Sequence, residues 1–227
     1  MANRDRSLKL DFLTPSKRGF RPTDMAYDCH WRVDSTPQVL SEARRLLLRK
    51  ADSDLVLFVD DDIEFGPEHV KILVDRMGPA IGAVESNPQI PGFPVKRSER
   101  VTRGWTGLTL LRLEATKGWN PPVLMRFEDE HLRRHVMRNG FKWVRALDCV
   151  PVHHAEDRGV PGPLALHWED GYNAWKVLSF PSKAWMLLKT PLFLRHGTPR
   201  FKAHLSFLGG MVNCMIDDLV AAVITSL

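Results

Sequence analysis

Cysteine is scarce in this chain: Cys29, Cys149 and Cys214 are the three in 227 residues, and they are widely spaced with no CxxC pair. That pattern excludes a disulfide framework and a cysteine-rich zinc site, and a reducing cytosol is the expected compartment. Long apolar runs are missing as well. The longest, Leu205 to Ile216, contains Asn213 and runs into Asp217 and Asp218, whereas a spanning helix needs about 20 predominantly apolar residues. No transmembrane helix is expected. The amino-terminal residues carry charge but no apolar stretch with a small-residue cleavage site, so no signal peptide is expected either. There is no GxxxxGKS phosphate loop, no internal repeat and no low-complexity tract.

What is present is an ordinary globular composition, 44% hydrophobic and 26% charged, which excludes a disordered tail. A chain of this length buries roughly 70% of its unfolded surface, so one compact domain with an appendage is expected. The net charge of +5 is unevenly placed. From Gly171 to Ile216 there is no acid but there are six bases: Lys176, Lys183, Lys189, Arg195, Arg200 and Lys202. The remainder is almost neutral, with 26 basic and 27 acidic residues, so the basic pI of 9.3 belongs to a carboxy-terminal segment that also carries Trp175, Trp185, Phe180, Phe193, Phe201 and Phe207.

Along the chain, Leu8 to Leu13 alternates as a strand does, and His30 to Val33 is a short strand. Thr36 as N-cap and Pro37 at the first helical position predict a helix ending near Ala51. Leu55 to Val59 is a continuous apolar run of strand length, expected as the buried centre of an α/β sheet. Gly66-Pro67 opens a second helix stopped by Gly78, and Ala80 to Val84 is the next strand. Asn87 to Arg103 is a long polar loop, Trp105 to Leu113 is strand-like, and a third helix starts at Glu128-Asp129-Glu130 and ends at Asn139-Gly140. Phe141 to Val144 and Cys149 to Val152 are extended. The alternation predicts a mixed, mostly parallel sheet flanked by helices.

Asp60, Asp61 and Asp62 follow the apolar run directly. Adjacent carboxylates repel one another and raise each other's pKa unless a cation is shared, and an oxygen-rich cluster suits Mg²⁺ or Mn²⁺ with substrate phosphates. The bland alternative is a solvated acidic turn, but the carboxyl end of a central strand is where open α/β sheets place ligands. Glu128 to Glu130 are favoured in a first helical turn by the helix dipole whether or not they react. His153 and His154, as neighbours on an extended segment, point to opposite faces, so one of them at most serves a given site.

In this order the pieces resemble the GT-A type glycosyltransferases, most closely family 2. The resemblance rests on LVLFVDDDIEF, on GLTLLRLEATKGW followed by FEDEHLRRHVMRNGFKWV, and on the histidine beyond them, from about Ser41 to His154. It implies a Rossmann-like GT-A fold, expected over residues 1–165 with an abbreviated amino-terminal nucleotide-binding part, while the composition predicts a helical, basic and aromatic appendage over 166–227. It makes Asp60 and Asp62 the DxD pair facing metal and donor diphosphate, with Asp61 between them. Asp129 matches the general base of inverting members, Glu128 flanks it, and His153 matches a further metal contact. Ser41 to Arg44 looks like the SxARN helix start, with Arg45 in place of the Asn, and the resemblance counts Arg44 with Asp34, Asp60, Asp61 and Asp62 among the donor-binding residues. Asp34, in Val33-Asp34-Ser35, stands where family members hold the nucleotide base on a DGS-like turn. The helix expected between the first two strands is not visible in the sequence.

The resemblance thus implies metal-dependent transfer of a sugar from a nucleotide-diphosphate donor to an acceptor hydroxyl or a lipid-linked acceptor, with inversion. The triple aspartate alone also suits a metal-dependent nucleotidyl or phosphoryl transferase, and a third reading is a non-catalytic module of the same fold. The basic, aromatic carboxy-terminal segment is expected to hold the protein peripherally at an anionic membrane surface, the inner face of the cell membrane, with Pro181, Pro191 and Pro199 dividing it into short interfacial helices. No nucleic-acid signature accompanies the charge.

Overall fold

The computed structural model describes residues 9–16, 29–34, 39–89, 95–124, 127–154, 171–177 and 198–225. The elements run β1 (Leu10–Pro15), β2 (Cys29–Asp34), α1 (Leu40–Lys50), β3 (Leu55–Val59), β4 (Ile63–Glu64), α2 (Pro67–Asp75), β5 (Ile81–Glu85), β6 (Leu108–Arg112), a 3-10 turn (Leu113–Thr116), α3 (Glu128–Arg138), β7 (Lys142–Arg145) and β8 (Val152–His153). Helix α4 covers 171–177, and α5 is Thr198–Thr225. Two compact units result: Met1–Val123 with Glu128–Asp157, and Leu124–Phe127 with Arg158–Leu227.

In the first unit six strands form a mixed sheet in the order β2-β1-β3-β6-β5-β7. The pairs β1–β2, β1–β3 and β5–β7 are parallel, while β6 runs antiparallel to both of its neighbours. All five residues of β3 are buried, and their alternation divides the core. Leu55, Leu57 and Val59 face α2 through Val70 and Leu73. Val56 and Phe58 face the other side, with Leu47 and Leu48 of α1 and Leu132 and Val136 of α3. Both helices that carry candidate site residues therefore lie on one face of the sheet.

The expected strands and helices are present, with shifted ends. Helix α1 begins at Leu40 rather than at Thr36, because Val39 is the residue whose carbonyl accepts the first helical N–H groups, from Glu42 and Ala43; Thr36 and Pro37 lie outside the described residues. The strand expected from Trp105 begins only at Leu108, since the Trp105 N–H turns aside to Glu85 Oε2 at 3.1 Å and its carbonyl accepts the Thr109 hydroxyl at 2.6 Å. The extended segment before the histidines narrows to the two residues of β8. Gly140 ends α3 at φ +86°, a backbone state that glycine adopts without steric cost. Both amino-terminal strands exist, and residues 17–28 between them lie outside the described residues.

In the second unit, Leu124, Phe127, Ala174, Val177 and Phe207 form a small core. Pro199 does not divide α5: it sits at the second position of one 28-residue helix, where no intrahelical N–H is needed. Pro181 and Pro191 lie outside the described residues. Gly210, Met211 and Cys214 form the buried face of α5. Leu205, Val212, Ile216 and Leu219, spaced by seven, four and three residues, form an exposed apolar stripe on the opposite face. Among the described residues no helix is long and apolar enough to cross a membrane.

One polar cluster inside the first unit tests its packing. Glu85 is buried at the end of β5, takes the Trp143 Nε1–H at 2.7 Å, and pairs with Arg145 at 2.5 Å. Burial pushes its carboxyl up to about 7 against the opposing pull of Arg145. Removing one member of a buried pair strands the other's charge, so Arg145→Ala is expected to cost about 3–5 kcal/mol. Urea unfolding measures it, and a loss below 1 kcal/mol would show the pair to be solvated.

Candidate active site

Strand β3 delivers the three aspartates to the edge of the sheet at which its parallel neighbour β1, and β2 beyond it, also end. The Asp60 N–H remains tied to the Gly107 carbonyl at 2.7 Å, an extension of the ladder that fixes where the acidic turn leaves the sheet. Its carboxylate, 18% exposed, accepts from Arg44 Nη2 at 2.7 Å. Asp61 takes the hydroxyl proton of Ser16, the residue after β1, at 2.7 Å. The Asp62 carboxylate lies 3.1 Å from His153 Nε2.

The three acids are therefore not a single cluster, and each addresses a different element. His153 arrives on the two-residue ladder of β4 with β8, in which it pairs with Ile63, and the His154 N–H donates to the Asp62 carbonyl at 2.9 Å. Strand alternation turns the His154 ring outward, onto Glu64 at 3.0 Å. His153 is thus the member of the pair that faces the aspartates, with the Trp105 ring 6.1 Å away.

Arg44 joins this edge to the acidic helix. It lies on the face of α1 that packs on Phe58, is only 2% exposed, and reaches Asp60 with one nitrogen and Glu128 Oε1 with the other. Burial opposes its charge, but Asp60, Glu128 and Asp129 outweigh that and raise its pKa further. Glu128, the first residue of α3, is itself buried, and burial raises its carboxyl to about 7 although Arg44 pulls the other way. Immediately before it, Phe127 holds φ at 67°, a conformation costly for a non-glycine residue.

Asp129 is half-buried, and one of its oxygens accepts the Glu130 N–H at 2.7 Å. Burial raises its pKa while the Arg103 and Arg44 charges act to lower it. Glu130 is different. Burial works to raise its carboxyl, but Arg133, Arg134 and the Gly104 N–H together hold it below the usual range. Gly104 permits this approach, because a Cβ there would lie 2.9 Å from the Asp129 carbonyl and from Arg133 Cβ. The three neighbouring acids are thus distinct: Glu130 anchors the loop before β6, Glu128 is closed by Arg44, and Asp129 is raised in pKa at the partly exposed position.

Among the described residues, no three His, Cys, Asp or Glu side chains converge as a ready-made metal shell. Asp62 with His153 offers a carboxylate and an imidazole, which fits a hard divalent ion that completes its shell with water and phosphate oxygens. Asp34 ends β2, opposite Pro15 and on the same edge; its side chain is outside the described residues. Sequence reasoning brought Asp60, Asp62, Asp129 and His153 forward, but not the bridging role of Arg44 or the Ser16 bond to Asp61. Both are long-range pairings with no fixed spacing to reveal them.

The family model for glycosyl transferase family 2 matches residues 23–134, just under half of the chain. No match is found among curated proteins. Among solved structures, the chain is similar to the mannosyltransferase PcManGT from Pyrobaculum calidifontis, solved in complex with GDP-Man and Mn²⁺. The TM-score is 0.55 at 15% identity, covering 83% of this chain and 70% of that one. A mycobacterial protein superposes with a TM-score of 0.51 at 15% identity, covering 75% and 73%. At such identity the likeness concerns the fold.

The Arg44 bridge carries a direct expectation. Arg44→Lys keeps a positive charge but cannot reach both carboxylates with a planar fork. It should cost about 2–4 kcal/mol in stability, toward the range for a broken buried pair. Urea denaturation of the variant beside the parent checks it, and an unchanged midpoint would mean that the bridge holds nothing together.

Proposed function

We propose, from the premise that this chain is a GT-A type glycosyltransferase of the family 2 kind, that it moves a sugar from a nucleotide-diphosphate donor to an acceptor hydroxyl with inversion and with the help of a divalent metal. The observation that carries this reading is the Asp60–Arg44–Glu128 bridge. It brings the strand-end acids and the acidic helix to one site, as a transfer between donor phosphate and acceptor requires. The fold carries a nucleotide sugar and Mn²⁺ together in PcManGT, which supports the same pairing here.

Asp60, Asp62 and His153 would hold Mn²⁺ or Mg²⁺, which when bound offsets the charge developing on the leaving diphosphate. Arg44 keeps Asp60 and Glu128 oriented. Asp129 takes the acceptor's hydroxyl proton as the acceptor oxygen bonds to the anomeric carbon and the bond to the diphosphate breaks. Its raised pKa makes it a stronger base than a solvated carboxylate, closer to the range in which proton transfer is efficient. Glu128, closed by Arg44, supports that position rather than sharing the proton. Asp34 and Asp61 belong to the donor side of the site.

A lipid-linked acceptor at an anionic membrane surface is part of the same proposal. The exposed stripe of Leu205, Val212, Ile216 and Leu219 on α5 supplies the apolar face of an interfacial helix. The bases of the acid-free stretch from Gly171 to Ile216 each add about 1 kcal/mol near such a surface. The protein then sits peripherally on the cytoplasmic face.

Two measurements test this. With a panel of nucleotide sugars and Mn²⁺, the parent should release nucleoside diphosphate, and Asp129→Asn should still bind donor but turn over roughly 10²–10⁴-fold more slowly. The parent's rate should fall on acidification with an apparent pKa above the usual Asp range, since the carboxylate form is the active one and its pKa is raised. Full turnover by Asp129→Asn would remove the base assignment. In vesicle flotation the intact chain should rise with anionic liposomes at low salt, and Val212→Glu with Ile216→Glu should abolish this; equal flotation of the double variant would sink the membrane reading.

A further inference from the structure

We infer that the indole of Trp105 is the surface on which a pyranose ring stacks at the point of transfer, an inference that rests on the sugar-transfer reading above. Trp105 belongs to the short loop that enters β6, and this loop touches both halves of the site. Gly104 lies against α3, where a Cβ would stand 2.9 Å from the Asp129 carbonyl. Gly107 gives its own carbonyl to the Asp60 N–H at 2.7 Å. The Trp105 ring is 6.1 Å from that of His153, which meets Asp62 at 3.1 Å. The tryptophan thus stands between the residue proposed as base and those proposed to hold the metal, where the donor's sugar and the accepting hydroxyl have to meet.

The loop presents this ring as a fixed surface. Gly107 has no side chain, and the indole occupies the space that one would take: a Cβ there would stand 2.6 Å from Trp105 Cε2. The backbone of Trp105 is tied at both of its polar groups, the N–H to Glu85 Oε2 at 3.1 Å and the carbonyl to the Thr109 hydroxyl at 2.6 Å. Glu85 is itself held by Trp143 and Arg145. A ring positioned in this way loses little freedom when a ligand arrives, which favours binding.

The bland reading is a tryptophan that closes the end of the core, since part of it packs against the cluster on the α2 face. Two observations go beyond that. Gly104, Thr106 and Gly107 are buried, so the tryptophan is the one residue of these four that stays partly open. Among the described residues, moreover, none accepts its indole N–H. A half-open indole offers a negative π face to the C–H groups of a pyranose and an N–H to one of its hydroxyls. It brings no charge, so it suits the sugar rather than the diphosphate.

Saturation-transfer NMR on the intact chain tests this, with the protein's aromatic protons irradiated and Mg²⁺ present. Two sets of probes separate an acceptor sugar from a donor sugar: the methyl glycosides of mannose, glucose and N-acetylglucosamine, and GDP-mannose, UDP-glucose and UDP-N-acetylglucosamine. The pyranose protons of at least one probe should receive saturation. Trp105→Ala should lower that effect roughly fivefold or more, as should Trp105→Met, which keeps apolar bulk without a π face, and Trp105→Phe should lose less. Circular dichroism confirms each fold, and the Met variant decides if the Ala variant is disturbed. Saturation confined to nucleotide protons, no saturation of any probe, or an undiminished pyranose signal in Trp105→Met would overturn the inference, even where the parent releases nucleoside diphosphate. Loss of the signal in Trp105→Met from a parent that turns over no donor would uphold the pyranose surface and remove the transferase reading instead.

Discussion

A buried guanidinium between two carboxylates governs the aspartate-bearing edge of this protein. Arg44 is taken almost wholly out of water, which alone would cost several kcal/mol, and Asp60 and Glu128 repay this only because both reach it in good geometry. The constraint runs in both directions. Without Arg44, Glu128 would be a buried acid at the start of α3 with a like charge beside it, and the register of α1, α3 and the end of β3 would lose its common point. The dispositions of Asp129, Glu130 and the Gly104 loop follow from where α3 is pinned.

The sheet explains why this pinning happens at an edge. Alternation along β3 sends Val56 and Phe58 toward α1 and α3, so the helices share an apolar seam that ends where β3 ends. The first polar residue beyond that seam is Asp60. Arg44, on the same seam, packs over the Phe58 ring at 5.6 Å before reaching it. The antiparallel insertion of β6 between β3 and β5 gives Gly107 as the partner of the Asp60 N–H, and so sets where the chain departs from the sheet.

Much of this was legible in the residues. The uninterrupted LVLFV run, the Gly66-Pro67 helix start, the acidic first turn at Glu128 and the Asn139-Gly140 stop all appear where the local signals put them, because backbone geometry and solvent exposure dominate there. Helix ends were less legible: Val39, a residue without capping chemistry, precedes α1, since packing of Leu47 and Leu48 rather than a cap decides its extent. Pro199, expected as a break, instead stands in the first turn of the longest helix among the described residues, because proline is tolerated in a first turn and not inside one. The pairings that make the site were the least legible. Ser16 with Asp61 and Arg44 with Glu128 lie 45 and 84 residues apart, and only the folded sheet edge brings them together.

The histidine that faces the aspartates is carried on very little structure. Strands β4 and β8 share two residue pairs, flanked by the bridge from Gln89 to Val152, and this small ladder stands apart from the six-stranded sheet. Ile63 of β4 is anchored in the main core, whereas Val152 and His153 of β8 are not, so detaching β8 breaks a handful of backbone hydrogen bonds and costs less than global unfolding. The imidazole is therefore held on Asp62 by far less structure than holds Arg44 on Asp60 and Glu128. The aspartate edge combines a half pinned by a buried guanidinium with a half that hangs on two residue pairs.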